Sequence, residues 1–242
     1  MKNPITITKT VLATIAAAAL ALNISSCHQD KFPVNIPVSE ADAAQFTTDA
    51  VIPTAGGMIT QINSSVAIYN AVPLTCGVQK DSTIIVASGT GASPSYNYSL
   101  ISNYTLTCNG VVPGQVTFYF TGNVSYSGPL MSSVDKSTGG FILTGLAAGS
   151  SQYTFSCNYS RNGTTTSKLG QQNTFTSIIA IQANSVVVDK TTKQIVSGKA
   201  AVSIKTTNSA GKIYTFNGTI TFSGNNKAIL VLDSGTIYPL SW

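Results

Sequence analysis

Side chains that could perform acid–base catalysis are scarce in this chain of 242 residues. Its one histidine, His28, lies close to the N-terminus, so a Ser-His-Asp triad or a histidine-ligated metal in the body of the protein is excluded. Glycoside hydrolysis would need two carboxylates that flank one bond. Beyond residue 50 the carboxylates are Asp81, Asp135, Asp189 and Asp233. Asp135 and Asp189 stand in similar turn-like strings, which gives no support to an enzyme, and the acidic residues are too spread out for a Ca²⁺ site. We therefore expect no enzyme, no metal and no cofactor.

One string near the C-terminus has the form of a catalytic loop. Asp233-Ser234-Gly235-Thr236 resembles the Asp-Thr/Ser-Gly loop of aspartic proteases, which implies that Asp233 would be one of two carboxylates sharing a proton. The sequence contains no second loop of this kind. Asp-Ser-Gly also suits a tight hairpin turn, and we predict a turn.

The uncharged polar composition favours binding over catalysis. Ten tyrosines, many Ser, Thr and Asn residues and only 9% charged residues suit a surface that stacks against sugars and hydrogen-bonds to them. Tyr96 and Tyr98 follow a Gly-Thr-Gly-Ala-Ser-Pro loop and are the predicted ligand-binding residues, because loops often carry function. The alternative is that both tyrosines begin a core strand, where aromatic residues are favoured.

Charge and hydrophobicity exclude two further classes of protein. The hydrophobic fraction of 43% is too high, and the charge too low, for a disordered chain. The formal net charge is +5, and it falls to +3 without Lys2 and Lys9 of the leader described next. This charge is too small and too scattered for nucleic-acid binding.

The N-terminus resembles the leader of a bacterial lipoprotein. Residues 11–22 form an apolar run that is long enough for a secretory signal and too short to span a bilayer. Ile24-Ser25-Ser26-Cys27 resembles the lipobox, which implies a signal peptide over residues 1–26 and attachment of diacylglycerol and palmitate to Cys27. His28 replaces the aspartate that marks inner-membrane retention. The resemblance therefore implies an outer-membrane protein that faces the periplasm or the cell surface.

The mature chain divides into a tether and a body. Residues 27–50 contain Pro33, Pro37 and half of the acidic residues, and we predict a tether with one helical turn capped at Ser39. Residues 51–242 are the predicted all-β domain, either undivided or split near residues 130–180. Residues 218–232 are similar to the tails of uncharacterised Bacteroidota surface lipoproteins, which implies an all-β surface protein without indicating an activity.

Alternating apolar residues predict the strands of the body. Val116, Phe118, Phe120, Val124 and Tyr126 recur at every second position or multiples of it, which is the pattern of a half-buried strand. Only the leader has a helical pattern. The fold predicted is an antiparallel, hairpin-rich β-sandwich or a strongly curled, barrel-like sheet. The predicted turns are Asn109-Gly110, Ser137–Gly140, Asn162-Gly163, Gly224–Asn226 and Asp233–Gly235.

Three cysteines remain if Cys27 is lipidated. Export implies an oxidising compartment, so one disulfide and one free thiol are expected. We predict the pair Cys76–Cys108, which would constrain the unfolded chain by about 3–4 kcal/mol, with Cys108–Cys157 as the rival pair. No Cys-x-x-Cys motif occurs, which argues against a zinc or redox site.

These observations predict a lipid-anchored outer-membrane protein that binds rather than catalyses. Its expected partners are the membrane, through the anchor, and a glycan or other surface polymer. The alternative is an envelope carrier whose curled sheet encloses a lipid or another apolar ligand.

Overall fold

Ten antiparallel strands pair in chain order into one sheet in the computed structural model, which describes residues 36–168 and 172–242. The sheet does not close on itself, and the prediction of an all-β antiparallel fold is confirmed. The strands are β1 Gln79–Ala87, β2 Ser95–Asn109, β3 Val112–Ser127, β4 Met131–Thr144, β5 Gln152–Ser167, β6 Thr174–Asp189, β7 Ile195–Thr207, β8 Ile213–Gly224, β9 Lys227–Leu232 and β10 Ile237–Ser241.

Alternating burial gives the sheet an inner and an outer face. In β3 the five residues that the sequence predicts to be buried are all buried, and the residues between them are mostly exposed. Successive side chains of a strand point to opposite faces, so this alternation places the apolar set on the inner face. Fully burying each such side chain stabilises the fold by about 1.5–3 kcal/mol.

Two α-helices and a short 3-10 helix cover the inner face. These are α1 Glu40–Val51, the 3-10 helix Pro53–Ala55 and α2 Met58–Ala71. Helix α1 contacts β6 and β7, whereas α2 contacts β3 and β4. The predicted tether is therefore wrong from residue 40 onward. The expectation of an all-β body is also wrong for residues 58–71.

Helix α1 extends beyond the single predicted turn because it is both capped and buried. The Ser39 hydroxyl accepts a hydrogen bond from the Asp42 backbone N–H at 3.1 Å, and the Asp42 carboxylate accepts one from the Ser39 N–H at 2.9 Å. On the buried side of the helix, the ring of Phe46 meets that of Phe175 at a centroid distance of 5.7 Å. Tertiary packing of this kind supplies the stability that a short isolated helix lacks.

The sequence pattern does not predict helix α2, because polar residues of this helix are buried beside its apolar ones. The Ser65 hydroxyl donates to the Gln61 carbonyl at 2.9 Å, and the Thr60 hydroxyl donates to the Pro53 carbonyl at 3.0 Å. These hydrogen bonds remove the cost of burying the hydroxyl groups. Since α2 is buried on several sides, no clean apolar stripe stands out in its sequence.

Two of the predicted turns lie inside strands. Residues 137–140 belong to β4, and Asn162-Gly163 belongs to β5. Gly163 pairs directly with Asp135, and a Cβ at residue 163 would overlap the Val134 carbonyl oxygen. This close approach explains the glycine without a turn. The other three predicted turns join strands, at Asn109-Gly110, Gly224–Asn226 and Asp233–Gly235.

The described residues belong to one unit, without a division near residues 130–180. The predicted signal peptide, the lipidation site Cys27 and the first part of the tether lie outside the described residues. In the part of the chain that is described, no helix is long and apolar enough to cross a membrane.

Candidate functional site

A trough crosses the outer face of the sheet from β3 to β8. The strand register places two neighbouring rows of outward residues along it. Six strands at the usual spacing make the trough about 24 Å long. The first row is Thr121, Thr138, Ser160, Ala180, Ser203 and Asn217, and the second row is Tyr119, Gly140, Asn158, Gln182 and Ala201.

The trough has the size and chemistry of a binding site. Its volume is about 890 Å³, which lies in the range of ligand-binding clefts. The short side chains of Gly140, Ala180 and Ala201 leave its floor open. Around this floor lie hydroxyl and amide groups, which both donate and accept hydrogen bonds. Such a lining suits a ligand that itself carries many hydroxyl groups.

Tyr119 provides an aromatic surface at the β3 end of the trough. Its side chain is 59% exposed. The ring lies over Gly140, where an added Cβ would be 3.7 Å from the ring. At the opposite end, the Asp233 backbone N–H donates to the Asn217 carbonyl at 2.9 Å. The trough therefore runs from an exposed ring to a single carboxylate.

The buried charges lie on the inner face. Arg161 Nη2 donates to Asp135 Oδ2 at 2.6 Å and to Ser133 Oγ at 3.2 Å. Its Nη1 donates to the backbone carbonyls of Asp49 at 2.6 Å and Ala55 at 2.8 Å. Arg161 and Asp135 are both buried. Arg161 thus connects β4 and β5 to the end of α1 and to the 3-10 helix.

Asp49 is the second carboxylate beside this guanidinium. Gln45 Nε2 donates to Asp49 Oδ1 at 3.0 Å, while Oδ2 is buried and has no hydrogen-bond partner among the described residues. Burial raises the pKa of Asp49 to about 7, although Arg161 and the Gln45 hydrogen bond act to lower it. Because these groups are enclosed between the helices and the sheet, we assign them a structural role.

The two aspartates that the sequence places in equivalent turns occupy different environments. Asp189 does cap a turn, since its Oδ1 accepts from the backbone N–H groups of Thr192 at 2.7 Å and Thr191 at 3.0 Å. Asp135 lies inside β4 and points inward. The predicted turn at Asp135 is therefore wrong.

Tyr96 and Tyr98 do not form an exposed binding surface. Tyr98 is 9% exposed and faces Gly56, while Tyr96 is half-buried and stacks on Tyr98 with ring centroids 6.0 Å apart. Tyr96, Tyr98 and Leu100 stand at every second position of β2, so all three side chains point to the inner face. The alternative of a core strand therefore describes Tyr98, whereas Tyr96 is half-buried and lines a small depression with Ser88 and Ser125.

The cysteines are arranged as one disulfide and one thiol. Cys76 and Cys108 form the predicted disulfide bond, with their Cα atoms 5.6 Å apart. Cys157 is free and buried on β5, with its sulfur 3.7 Å from the sulfur of Met58. Burial raises the pKa of the Cys157 thiol to about 12. The thiol is thus poorly placed for nucleophilic chemistry.

We expect Cys157 to resist alkylation in the folded protein. At about pH 8 its labelling by iodoacetamide should be roughly a thousandfold slower than in urea, because the thiolate is rare and enclosed. Peptide mass spectrometry of timed reactions measures this ratio, and Cys76 and Cys108 should label only after reduction. Equal labelling rates in the folded and unfolded protein would contradict the burial of Cys157.

Asp233 lies in the turn that joins β9 to β10. The Ser234 and Thr236 hydroxyls are 3.0 Å apart within this turn, and Thr236 also donates to a Glu40 carboxylate oxygen at 2.8 Å. Within residues 36–168 and 172–242, no group of three or more His, Cys, Asp or Glu side chains could hold a metal ion.

The fold and the trough define an open-sheet β protein with two inner helices and, on its outer face, a cleft lined by small and polar side chains. Comparisons of the chain with protein-family models, with curated proteins and with solved structures find no match.

Proposed function

We propose that the protein is a non-enzymatic binding module, anchored to the outer membrane through lipidated Cys27, that holds a glycan chain in the outer trough. The observation that carries this proposal is the pair of rows of small and polar side chains that crosses six strands and begins at the exposed ring of Tyr119. An extended sugar chain matches a long cleft better than a compact ligand does. Its hydroxyl groups complement the amides and hydroxyls of the lining.

The packing of the inner face supports binding at the outer face over a carrier role. An envelope carrier would need apolar space between the helices and the sheet for its lipid. Phe46, Met58 and Ile62 of the helices are buried there, together with Phe118 and Phe155 of the sheet. An acyl chain could enter only if α1 or α2 left the sheet.

Tyr119→Ala should weaken glycan binding about tenfold, since truncating an aromatic contact residue commonly costs that much. The protein is first screened on a glycan array, and the affinities of the polymers that bind are then measured by calorimetry. Ile85→Ala is the control, because Ile85 is 72% exposed on β1 and lies outside the trough. Its affinity should match that of the wild type.

A second variant tests the trough without removing a contact. Ala201 is exposed on the floor, so Ala201→Trp should fill the cleft and abolish binding while the protein stays folded. Binding that survives both Tyr119→Ala and Ala201→Trp would contradict the trough as the site. An array on which no glycan is bound would contradict the proposed function.

A further inference from the structure

Lysines border the trough on both of its long sides. On one side, the row next to the trough contains Lys136 on β4 and Lys205 on β7. These two lysines belong to the same row because Lys136 pairs with Asn162, which pairs with Ile178, which in turn pairs with Lys205. Three strand spacings separate the two lysines, which is about 14 Å. On the other side lies Lys199, in a depression that shares Gln182 and Ala201 with the trough. The trough is thus flanked by cationic groups on both sides.

These three lysines have no partner within the part of the chain that the structure describes. Lys168 donates to the Ser127 hydroxyl at 2.7 Å, and Lys190 donates to the Ala147 carbonyl at 2.9 Å. By contrast, Lys136, Lys199 and Lys205 form no hydrogen bond or ion pair with any described residue. Lys136 also lines a second depression of about 650 Å³ next to the trough, together with Asn123 and Asn162. Its ammonium group is therefore available beside amide groups.

Among the described residues, the only carboxylate that lines the trough is that of Asp233, at its β8 end. From β2 to β8, the rows that line and flank the trough contain no outward-facing Asp or Glu among the described residues. Asp81 on the edge strand β1 stands in the same row as Tyr119, two strands away through Asn103. Charges of one sign that line a cleft attract ligands of the opposite sign.

We infer that the bound glycan is acidic and carries carboxylate or sulfate groups along its chain. This inference rests on the proposed function, since the rows of the trough contact the sugar rings and the flanking lysines reach the charged substituents. Ammonium groups on both sides of the cleft fit a chain with substituents on alternate sides. A purely neutral polymer would leave these ammonium groups without partners.

The test compares polymers that differ only in charge. Polygalacturonate is measured against its fully methyl-esterified form, and dextran sulfate against dextran, by calorimetry with the full-length mature protein. At least one acidic polymer should bind about tenfold more tightly than its neutral counterpart, and the difference should shrink when sodium chloride is raised from about 0.05 M to about 0.3 M. The two pairs distinguish carboxylate from sulfate as the preferred group.

Two double variants that remove the same number of charges test whether the preference for acidic polymers comes from the lysines beside the trough. Lys136→Gln/Lys205→Gln should weaken acidic-polymer binding about fivefold or more. The control Lys193→Gln/Lys212→Gln removes two lysines from turns and should change affinity by less than about twofold. Equal effects of the two double variants would overturn the inference, because the attraction would then come from net charge alone.

The remaining outcomes separate the inference from the proposed function. Equal binding of acidic and neutral polymers, still sensitive to Tyr119→Ala, would overturn the inference and leave the glycan-binding function standing. Single-stranded DNA that binds as tightly as the acidic glycan would overturn the inference as well, because the lysines would then attract any polyanion. Absence of binding to every polymer, acidic or neutral, would contradict the function and the inference together.

Discussion

Arg161→Met is expected to lower the free energy of unfolding by about 3–5 kcal/mol. Methionine keeps much of the apolar stem of the side chain and removes every hydrogen bond of the guanidinium. The Asp135 carboxylate would then be buried without its partner, and the carbonyls of Asp49 and Ala55 would lose their donor. Most of the loss therefore comes from groups that are left unpaired. Urea unfolding followed by circular dichroism measures it.

A double variant separates the ion pair from the rest of the cluster. Arg161→Met/Asp135→Leu removes both buried charges, so it should be more stable than Arg161→Met alone even though it carries a further substitution. Asn162→Ala is the control, because Asn162 is the next residue on β5 and is exposed on the outer face. It should change stability by no more than about 0.5 kcal/mol.

Two results would contradict this account. If Arg161→Met lost less than about 1 kcal/mol, the guanidinium would not connect the helices to the sheet. If the double variant were less stable than the single one, the damage would come from lost packing and not from the unpaired Asp135. Should Arg161→Met fail to fold, the double variant still tests the charge argument.

The alternation of apolar residues made the sheet predictable. In β3 the period-2 pattern identified one of the strands, which does have one buried face. It did not indicate the length of the strands: β4 and β5 continue through residues 137–140 and 162–163, where the local residues favour turns. Tertiary pairing overrides this local preference, because Gly163 lets the backbone of β5 approach Asp135 and Val134 closely.

Both helices and the buried ion pair depend on contacts between distant parts of the chain. Asp135 and Arg161 are 26 residues apart, and only the β4–β5 register brings them together. The polar residues of α2 become compatible with burial only through hydrogen bonds such as that from Gln61 to the Ser137 hydroxyl. Neither relation leaves a local pattern in the sequence.

The trough could be predicted only in part. Tyr119 stands between Phe118 and Phe120, so the alternation of β3 already indicated an outward aromatic residue. The same rule would have placed Tyr98 inward with Leu100, where the structure has it. The rows themselves could not be foreseen, because they join residues of six strands whose mutual register the sequence does not specify.

The second large effect is a dependence of stability on pH that originates at Asp49. Its pKa is about 7 in the folded protein, because burial outweighs the opposing influence of Arg161, against 3.8 for an ordinary aspartate. Between these values the folded protein binds more protons than the unfolded chain. Stability should therefore fall as the pH rises through this window, by about 4 kcal/mol in total, and change little above about pH 8.

Asp49→Asn should remove this slope. The amide is nearly the same size as the carboxyl group and stays neutral, so the variant should match the wild type near pH 4 and exceed its stability by up to about 4 kcal/mol near pH 8. Urea unfolding at a series of pH values measures the difference. The control is Asp189→Asn, which removes an exposed carboxyl whose pKa is lowered by hydrogen bonds from Thr192 and Thr191.

Asp189→Asn should lose stability only at pH values at which the Asp189 carboxyl of the wild type is charged, because its lowered pKa reflects stabilisation of the charged form. The variant should keep the fall in stability between about pH 4 and about pH 7, since Asp49 is unchanged. The groups that face Asp49 are Arg161, Gln45 and Asp135, with Tyr126 nearby. Arg161 does not titrate in this range and Gln45 carries no charge. A slope that persists undiminished in Asp49→Asn would therefore contradict Asp49 as the source of the pH dependence.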